Sequence, residues 1–366
     1  MFDLSGFRDP TIARTLIDAI HKTASTPVKL MEVCGTHTVA IAKNGLRDVM
    51  PETITLLSGP GCPVCVTSNA DIDAAIEFSK QPGVIVTTFG DMMKVPGSYS
   101  SLSAEKGDGR DIRVVYSPLD AIDLAERNPD KQVVFIGVGF ETTVPVIASA
   151  IQQAAARGVE NFSVFSAHKT VPLALRALVD DPDVAVGGFI LPGHVSVIIG
   201  LEPYRFLAEE YNVPSVITGF EPVDILQGVH MLAKQVAEGR AEVEVAYTRA
   251  VPPEGNPAAV AKIEQVFEPC DAEWRGIGVI PGTGLAIREE YSEYDALKRV
   301  PISPPEPKEI KGCQCGEVLR GVTLPFDCRL FGRACTPEHP VGPCMVSSEG
   351  SCAAYYRYTD YGKSES

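Results

Sequence analysis

Basic residues are in short supply: 32 Lys and Arg stand against 47 Asp and Glu in 366 residues, a formal net charge of -15. No Lys- or Arg-rich run offsets the imbalance. A nucleic-acid or anionic-membrane surface is thereby excluded, since both need concentrated positive charge to neutralise phosphate. Long apolar runs are missing too, with no window near the roughly 18 uninterrupted apolar residues of a membrane-spanning helix. The opening Met1-Phe2-Asp3-Leu4-Ser5 has no basic segment leading into an apolar one, so a secretory leader is not expected. The expected location is the cytoplasm. In that reducing compartment the ten cysteines are expected to be metal ligands, reactive thiols or buried small hydrophobes rather than structural disulfides.

What is present is a chain that can bury a sizeable core, at 45% hydrophobic residues. Short apolar runs alternate with amphipathic stretches, the pattern of a parallel α/β sheet with crossover helices. Strands are expected at Val28 to Val33, Ile54 to Leu57, Val84 to Thr88, Val114 to Tyr116, Val133 to Val138, Phe162 to Ser166, Val184 to Leu191, Val216 to Thr218 and Val243 to Tyr247. Nine strands fit two Rossmann-like domains better than one sheet. The expected division is 1–117 and 118–240 as two α/β domains, then 241–366 as a C-terminal region. Beyond Pro301, Ile-Ser-Pro-Pro-Glu-Pro reads as a linker, and the Gly-, Pro- and Cys-rich text after it needs a staple such as a metal cluster.

The cysteines fall into two groups. Cys34 ends the first strand and opens Cys34-Gly-Thr-His37, with a helix expected over Val39 to Met50. Cys62-Pro-Val-Cys65 follows the second strand, ahead of a helix over Ser68 to Lys80. Pro63 and the flanking glycines are expected to hold both sulfurs outward, where helix N–H groups favour the thiolate. If the strands are neighbours, Cys34, His37, Cys62 and Cys65 converge on one iron or substrate; the plainer role for His37 is a helix cap. In the tail, Cys328, Cys335, Cys344 and Cys352 lack the paired knuckles common in zinc sites, which favours a [4Fe-4S] cluster over zinc. Cys313 and Cys315 read either as a dithiol near the cluster or as packing. Cys270 reads as a buried hydrophobe.

Two strand–Gly-Phe-Glu–helix pieces place Glu141 and Glu221 at strand ends, as helix caps or as ligand-facing groups. Glu141, Thr142 and Glu221 are therefore candidate cofactor-binding residues. The Gly137-Val-Gly139 run resembles a dinucleotide fingerprint, but Thr142 replaces its third glycine and no acidic residue ends the next strand. Gly276 to Gly284 lacks the Lys-Ser/Thr of a phosphate loop and reads as a β-turn segment. His194, after Leu191-Pro-Gly, is open between a structural and a functional role.

Cys34-Gly-Thr-His37, Gly59-Pro-Gly-Cys62-Pro-Val-Cys65, Phe89-Gly-Asp91-Met-Met-Lys-Val-Pro96-Gly97-Ser98, Gly139-Phe-Glu-Thr-Thr143, Gly219-Phe-Glu-Pro222 and the cysteine tail together resemble the HypD family of hydrogenase maturation factors. That resemblance implies two α/β domains plus a cluster domain. It implies a scaffold for the Fe(CN)2CO group of [NiFe]-hydrogenases, working with the small chaperone HypC and receiving cyanide from HypE. Cys34 would be the thiol at the iron, Cys62 and Cys65 an electron-exchanging dithiol, and Cys328, Cys335, Cys344 and Cys352 the [4Fe-4S] ligands. Some members carry a second histidine two residues after His37, where this chain has Val39. A dedicated iron–sulfur-dependent thiol-disulfide reductase is the alternative.

Overall fold

The computed structural model describes residues 5–359. All nine expected strands form: β1 (Val28–Glu32), β2 (Ile54–Ser58), β3 (Val84–Thr88), β4 (Ile112–Val114), β5 (Gln132–Gly137), β6 (Phe162–Ser166), β7 (Gly188–Pro192), β8 (Ser215–Thr218) and β9 (Val243–Val245). They build two parallel sheets, one of order β2-β1-β7-β8-β9 and one of order β4-β3-β5-β6. Strands such as Val84–Thr88 and Gly188–Pro192 are buried along their whole length, as in sheets covered on both faces.

The sheets do not divide at residue 117 or 240. The first takes its strands from 28–58 and 188–245 and the second from 84–166, so the chain leaves one sheet after β2 and returns at β7. Ser117, at the expected break, is the N-cap of a helix (Pro118–Arg127) that links β4 to β5 within one sheet. The same cap moves β4 two residues forward of its expected place. Asp120 accepts the Tyr116 and Ser117 N–H groups, which draws Tyr116 out of the strand and leaves it 95% exposed.

Alternation along the strands divides the core. Leu30, Ile190 and Val216 face one cluster, while their neighbours Met31, Leu191 and Ile217 face a central core shared with Val86, Val134 and Ile136 of the second sheet. Helices Asn69–Lys80 and Val171–Asp180 contribute to the same central core through Ile76, Phe78 and Leu175. Cys62, Cys65, Cys315, Cys344 and Cys352 belong to it as well.

Two antiparallel strands were not expected: β10 (Phe267–Trp274) and β11 (Gly278–Ile287), with a bulge between Cys270 and Ala272. The expected β-turn segment is in fact this hairpin's tip and most of its return strand. Cys270 lies on β10 and is half-buried, not buried, because most of that strand's side chains are at least partly exposed. The tail has only short helices, including Pro343–Val346 and Ser351–Tyr358. Among the described residues no helix is long and apolar enough to cross a membrane.

Candidate functional site

Open parallel sheets bind ligands beyond the carboxyl ends of their strands, where the strand order reverses. Here β1 and β7 flank the reversal in the first sheet, and β3 and β5 in the second. One cleft lies against all four ends: Cys34 follows β1, His194 follows β7, Phe89 and Asp91 follow β3, and Thr142 follows β5. Glu349, from the tail, completes the wall.

Cys34 is the N-cap of a helix (Gly35–Lys43) that starts and stops earlier than expected, because Asn44 and then Gly45, at φ +61°, close it off. Its backbone N–H donates to Glu32 Oε2 at 3.1 Å, and Thr38 Oγ1 donates to Glu32 Oε1 at 2.5 Å. Glu32 is fully buried, and burial pushes its carboxyl up to about 7. Burial also pushes the Cys34 thiol up to about 12, against the opposing pull of the Thr36 and His37 N–H groups. The resting thiol is thus protonated, and a thiophilic metal ion would displace that proton on binding. Thr36 Oγ1 donates to Glu349 Oε1 at 2.9 Å, tying the helix start to the tail.

His37 does not line the cleft. It is fully buried, its Nε2 2.8 Å from the Gly219 carbonyl oxygen and 2.8 Å from Thr218 Oγ1. A carbonyl only accepts, so Nε2 carries the proton, and the buried Nδ1 has no partner. Burial lowers the ring to about 4. Phe220 stacks between His37 (centroids 4.6 Å apart) and His194 (3.8 Å). The imidazole that reaches the cleft is therefore His194, which the sequence left open.

Cys62 and Cys65 are buried, at 4% and 0% exposure, not turned outward. Cys62 caps a single turn (Pro63–Val66), and its Sγ accepts the Cys65 N–H at 3.3 Å and lies 2.6 Å from the Cys65 thiol. The tail covers the pair: Cys65 Sγ is 3.8 Å from the Pro343 oxygen and touches the Cys344 thiol. Burial raises the Cys65 thiol rather than lowering it, since the enclosed sulfur loses more from desolvation than the Cys344 contact returns. On its other side the turn presses on Cys34, with the Gly35 N–H donating to the Gly61 oxygen at 2.9 Å.

The tail thiols are brought together. Cys328, Cys335 and Cys352 line one small enclosed cavity, together with Cys313 and Cys315. Cys344 does not line it; its thiol touches those of Cys315, Cys352 and Cys65. Gly342 keeps the cavity open, since a Cβ there would stand 2.6 Å from Cys313 Sγ and 2.8 Å from Cys315 Sγ. Among the described residues no three His, Cys, Asp or Glu side chains form a ready-made site for a single metal ion. A four-iron cluster makes a different demand, because each of its thiolates binds a separate iron at a separate corner.

The remaining candidates separate. Thr142 lines the cleft, whereas Glu141 is buried and accepts the Val171 N–H at 2.8 Å, starting the next crossover helix. Glu221 caps the helix Pro222–Glu238 and pairs with Arg8, beside a second surface pocket that Val39 also lines. Glu349 was missed because it sits in a polar loop with no motif around it; only the fold brings it to Cys34.

From residue 11 to residue 359 the chain matches the family described as HypD, hydrogenase formation hypA family. The chain belongs to the HypD family. It is 50% identical to the hydrogenase maturation factor HypD of Rhodobacter capsulatus, over 97% of each chain. To its namesake in Rhizobium leguminosarum it is 46% identical, over 96% of this chain and 94% of that one. To the HypD of Escherichia coli K12 it is 47% identical, over 92% and 90%. The family places its role in hydrogenase maturation.

Proposed function

We propose that this HypD-family chain is the cytoplasmic scaffold on which the Fe(CN)2CO group of [NiFe]-hydrogenases is assembled. The observation that carries this reading is the cleft where the switch points of both sheets meet, with Cys34 on its wall and a run of touching thiols behind it. Cys34 holds the iron substrate, a HypC-type chaperone supplies a further thiol from the open side, and cyanide arrives from a HypE-type donor. Low-spin Fe(II) carrying cyanide and carbon monoxide is a soft centre suited to thiolate. His194, Thr142 and Glu349 supply polar groups around it.

Of the six tail cysteines, Cys313, Cys328, Cys335 and Cys352 are the proposed [4Fe-4S] ligands: they line one cavity with Cys315, and Cys344, outside it, is set chiefly against Cys315 and less against Cys352. When bound, the cluster supplies single electrons at low potential. This ligand set keeps three of the four cysteines expected from the family tail and exchanges Cys344 for Cys313. Cys344, in contact with Cys65, then extends the Cys62/Cys65 dithiol towards the tail. The thiol run by itself also fits a disulfide reductase, but that activity has no use for Cys34, whose thiol opens on the cleft.

The test is infrared spectroscopy of the chain purified anaerobically with its HypC-type partner. Bands of iron-bound CN and CO are expected, and Cys34→Ala should abolish them; bands at full strength in that variant refute the assignment. Iron and sulfide analysis should show Cys313→Ser losing the cluster and Cys344→Ser keeping it. The opposite result restores Cys344 as the ligand.

A further inference from the structure

Arg275 sits at the tip of the β10–β11 hairpin and is 6% exposed. Its backbone N–H donates to the Val66 oxygen and its Nε to the Thr67 oxygen, both at 2.9 Å, so the guanidinium is anchored two residues beyond Cys65. Its Nη2 is enclosed and has no partner. Buried Lys169 has Asp71 at 3.1 Å, and Arg249 has Asp224 at 2.5 Å. Among the described residues no carboxylate lies within ion-pair distance of Arg275, although Glu309 and Glu317 line the same pocket and Arg320 there is held by Asp181 at 2.8 Å. A guanidinium taken out of water without an anion is costly, so the fold that keeps it there has a negative charge to set against it.

The groups available are sulfurs. Arg275 shares its pocket with Cys313 and Cys315. The hairpin is pressed on that segment: a Cβ on Gly276 would stand 2.0 Å from the Gly316 Cα, a contact that only two facing glycines permit. A bridge between Thr67 and Trp274 fixes the hairpin's other side to the strand of chain leaving Cys65. Arg275 is thus clamped between the two cysteine groups.

We propose that Arg275 is the counter-ion of the cysteine-rich tail, a fixed positive charge that balances the tail's thiolates and the iron–sulfur group they border and so favours its more negative, reduced state. This rests on the reading of the tail as an iron–sulfur site. Reduction adds one electron, and so one unit of negative charge, from a one-electron donor such as dithionite; no bond forms or breaks and no proton moves. Arg275 acts on the potential at which that happens and touches no substrate.

The test is a dithionite titration of the full chain after anaerobic reconstitution, followed by electron paramagnetic resonance. Arg275→Gln should hold as much iron and sulfide as the wild type but reach half-reduction at a more negative potential, while Arg275→Lys stays near the wild-type value. Equal potentials at equal iron content overturn the proposal. If Arg275→Gln does not keep its iron, the metal-free protein decides. There Arg275→Met removes the charge and keeps the length at the cost of the Nε–Thr67 hydrogen bond alone, so it should melt close to the wild-type temperature. A clear drop means that the guanidinium is already satisfied without the tail's charge, and overturns the proposal. A wild type that takes up no iron and sulfide defeats the iron–sulfur reading alone, and the metal-free melt still decides for Arg275.

Discussion

Gly61 is where the two thiol sites touch, and Gly61→Ala tests how closely they depend on one another. A Cβ at that position would stand 2.1 Å from the Cys34 nitrogen and 2.3 Å from the Val33 carbonyl carbon. Both are backbone atoms, so neither can rotate away. Ordinary contact between carbon atoms needs roughly 3.5 Å or more, so the Gly59–Cys62 turn must retreat by about 1 Å. The Gly35–Gly61 hydrogen bond, now 2.9 Å, lengthens with it. Overpacking costs about 1–3 kcal/mol, and a weakened backbone hydrogen bond adds about 1 kcal/mol. A stability loss of about 3 kcal/mol is expected, read from urea unfolding. The functional loss should be larger, because a displacement of about 1 Å at reacting groups can cost ~100-fold in rate. Infrared bands of iron-bound CN and CO should grow correspondingly more slowly. Gly83→Ala is the control: Gly83 lies at φ +73° with nothing within 4 Å of a Cβ, so it pays only left-handed strain of about 1–2 kcal/mol and should load normally. If Gly61→Ala unfolds and loads like the wild type, the close approach has no part in holding the dithiol against Cys34.

Glu141 gives a pH prediction. Burial pushes its carboxyl from an ordinary value of 4.5 to about 7, so the folded state favours the protonated acid. Its contribution is complete below pH 4.5 and is lost as pH rises through 7, amounting to about 3 kcal/mol at most. Glu141→Gln should flatten the pH dependence of urea stability across that window; an unchanged slope refutes the argument. Arg249→Ala should cost about 3 kcal/mol in the same assay, because it strands Asp224, whose side chain is 2% exposed and receives both guanidinium arms. Adding Asp224→Asn should recover part of that loss, and no recovery would mean that the cost lies in Arg249's stacking on Phe7 and Tyr247 instead.

The strands were legible because parallel strands buried on both faces read as continuous apolar runs, and β3 and β6 begin and end where those runs do. The allocation of strands to sheets was not legible. It depends on the chain crossing to a second sheet and back, a tertiary choice that leaves no local pattern. Cys34 was placed correctly at a strand end because Cys-Gly follows an apolar run. The burial of Cys62 and Cys65 was hidden because the covering residues, Pro343 and Cys344, lie nearly 300 residues away in sequence. His37 looked like a ligand by its spacing from Cys34. One helical turn instead carries its ring under Phe220 and leaves the cleft to His194. The hairpin carrying Arg275 was obscured by Gly276, Gly278, Gly282 and Gly284, which break the alternation that marks a strand.

The tail does more than supply sulfur. Cys344 and Cys352 bound a loop that reaches the cleft at Glu349, and Gly350 packs so closely on Cys344 that a Cβ there would stand 2.2 Å from the Cys344 oxygen. Gly35 meets Glu349 closely too, at 2.6 Å from its Cβ for a methyl group on Gly35. These contacts leave no slack between the two ends of the loop. The Cys344 backbone is thus linked through Gly350 and Glu349 to Thr36 and the start of the helix that Cys34 caps. The Cys62 and Cys65 turn behind Cys34 and the carboxylate in front of it therefore both pack against the tail around Cys344.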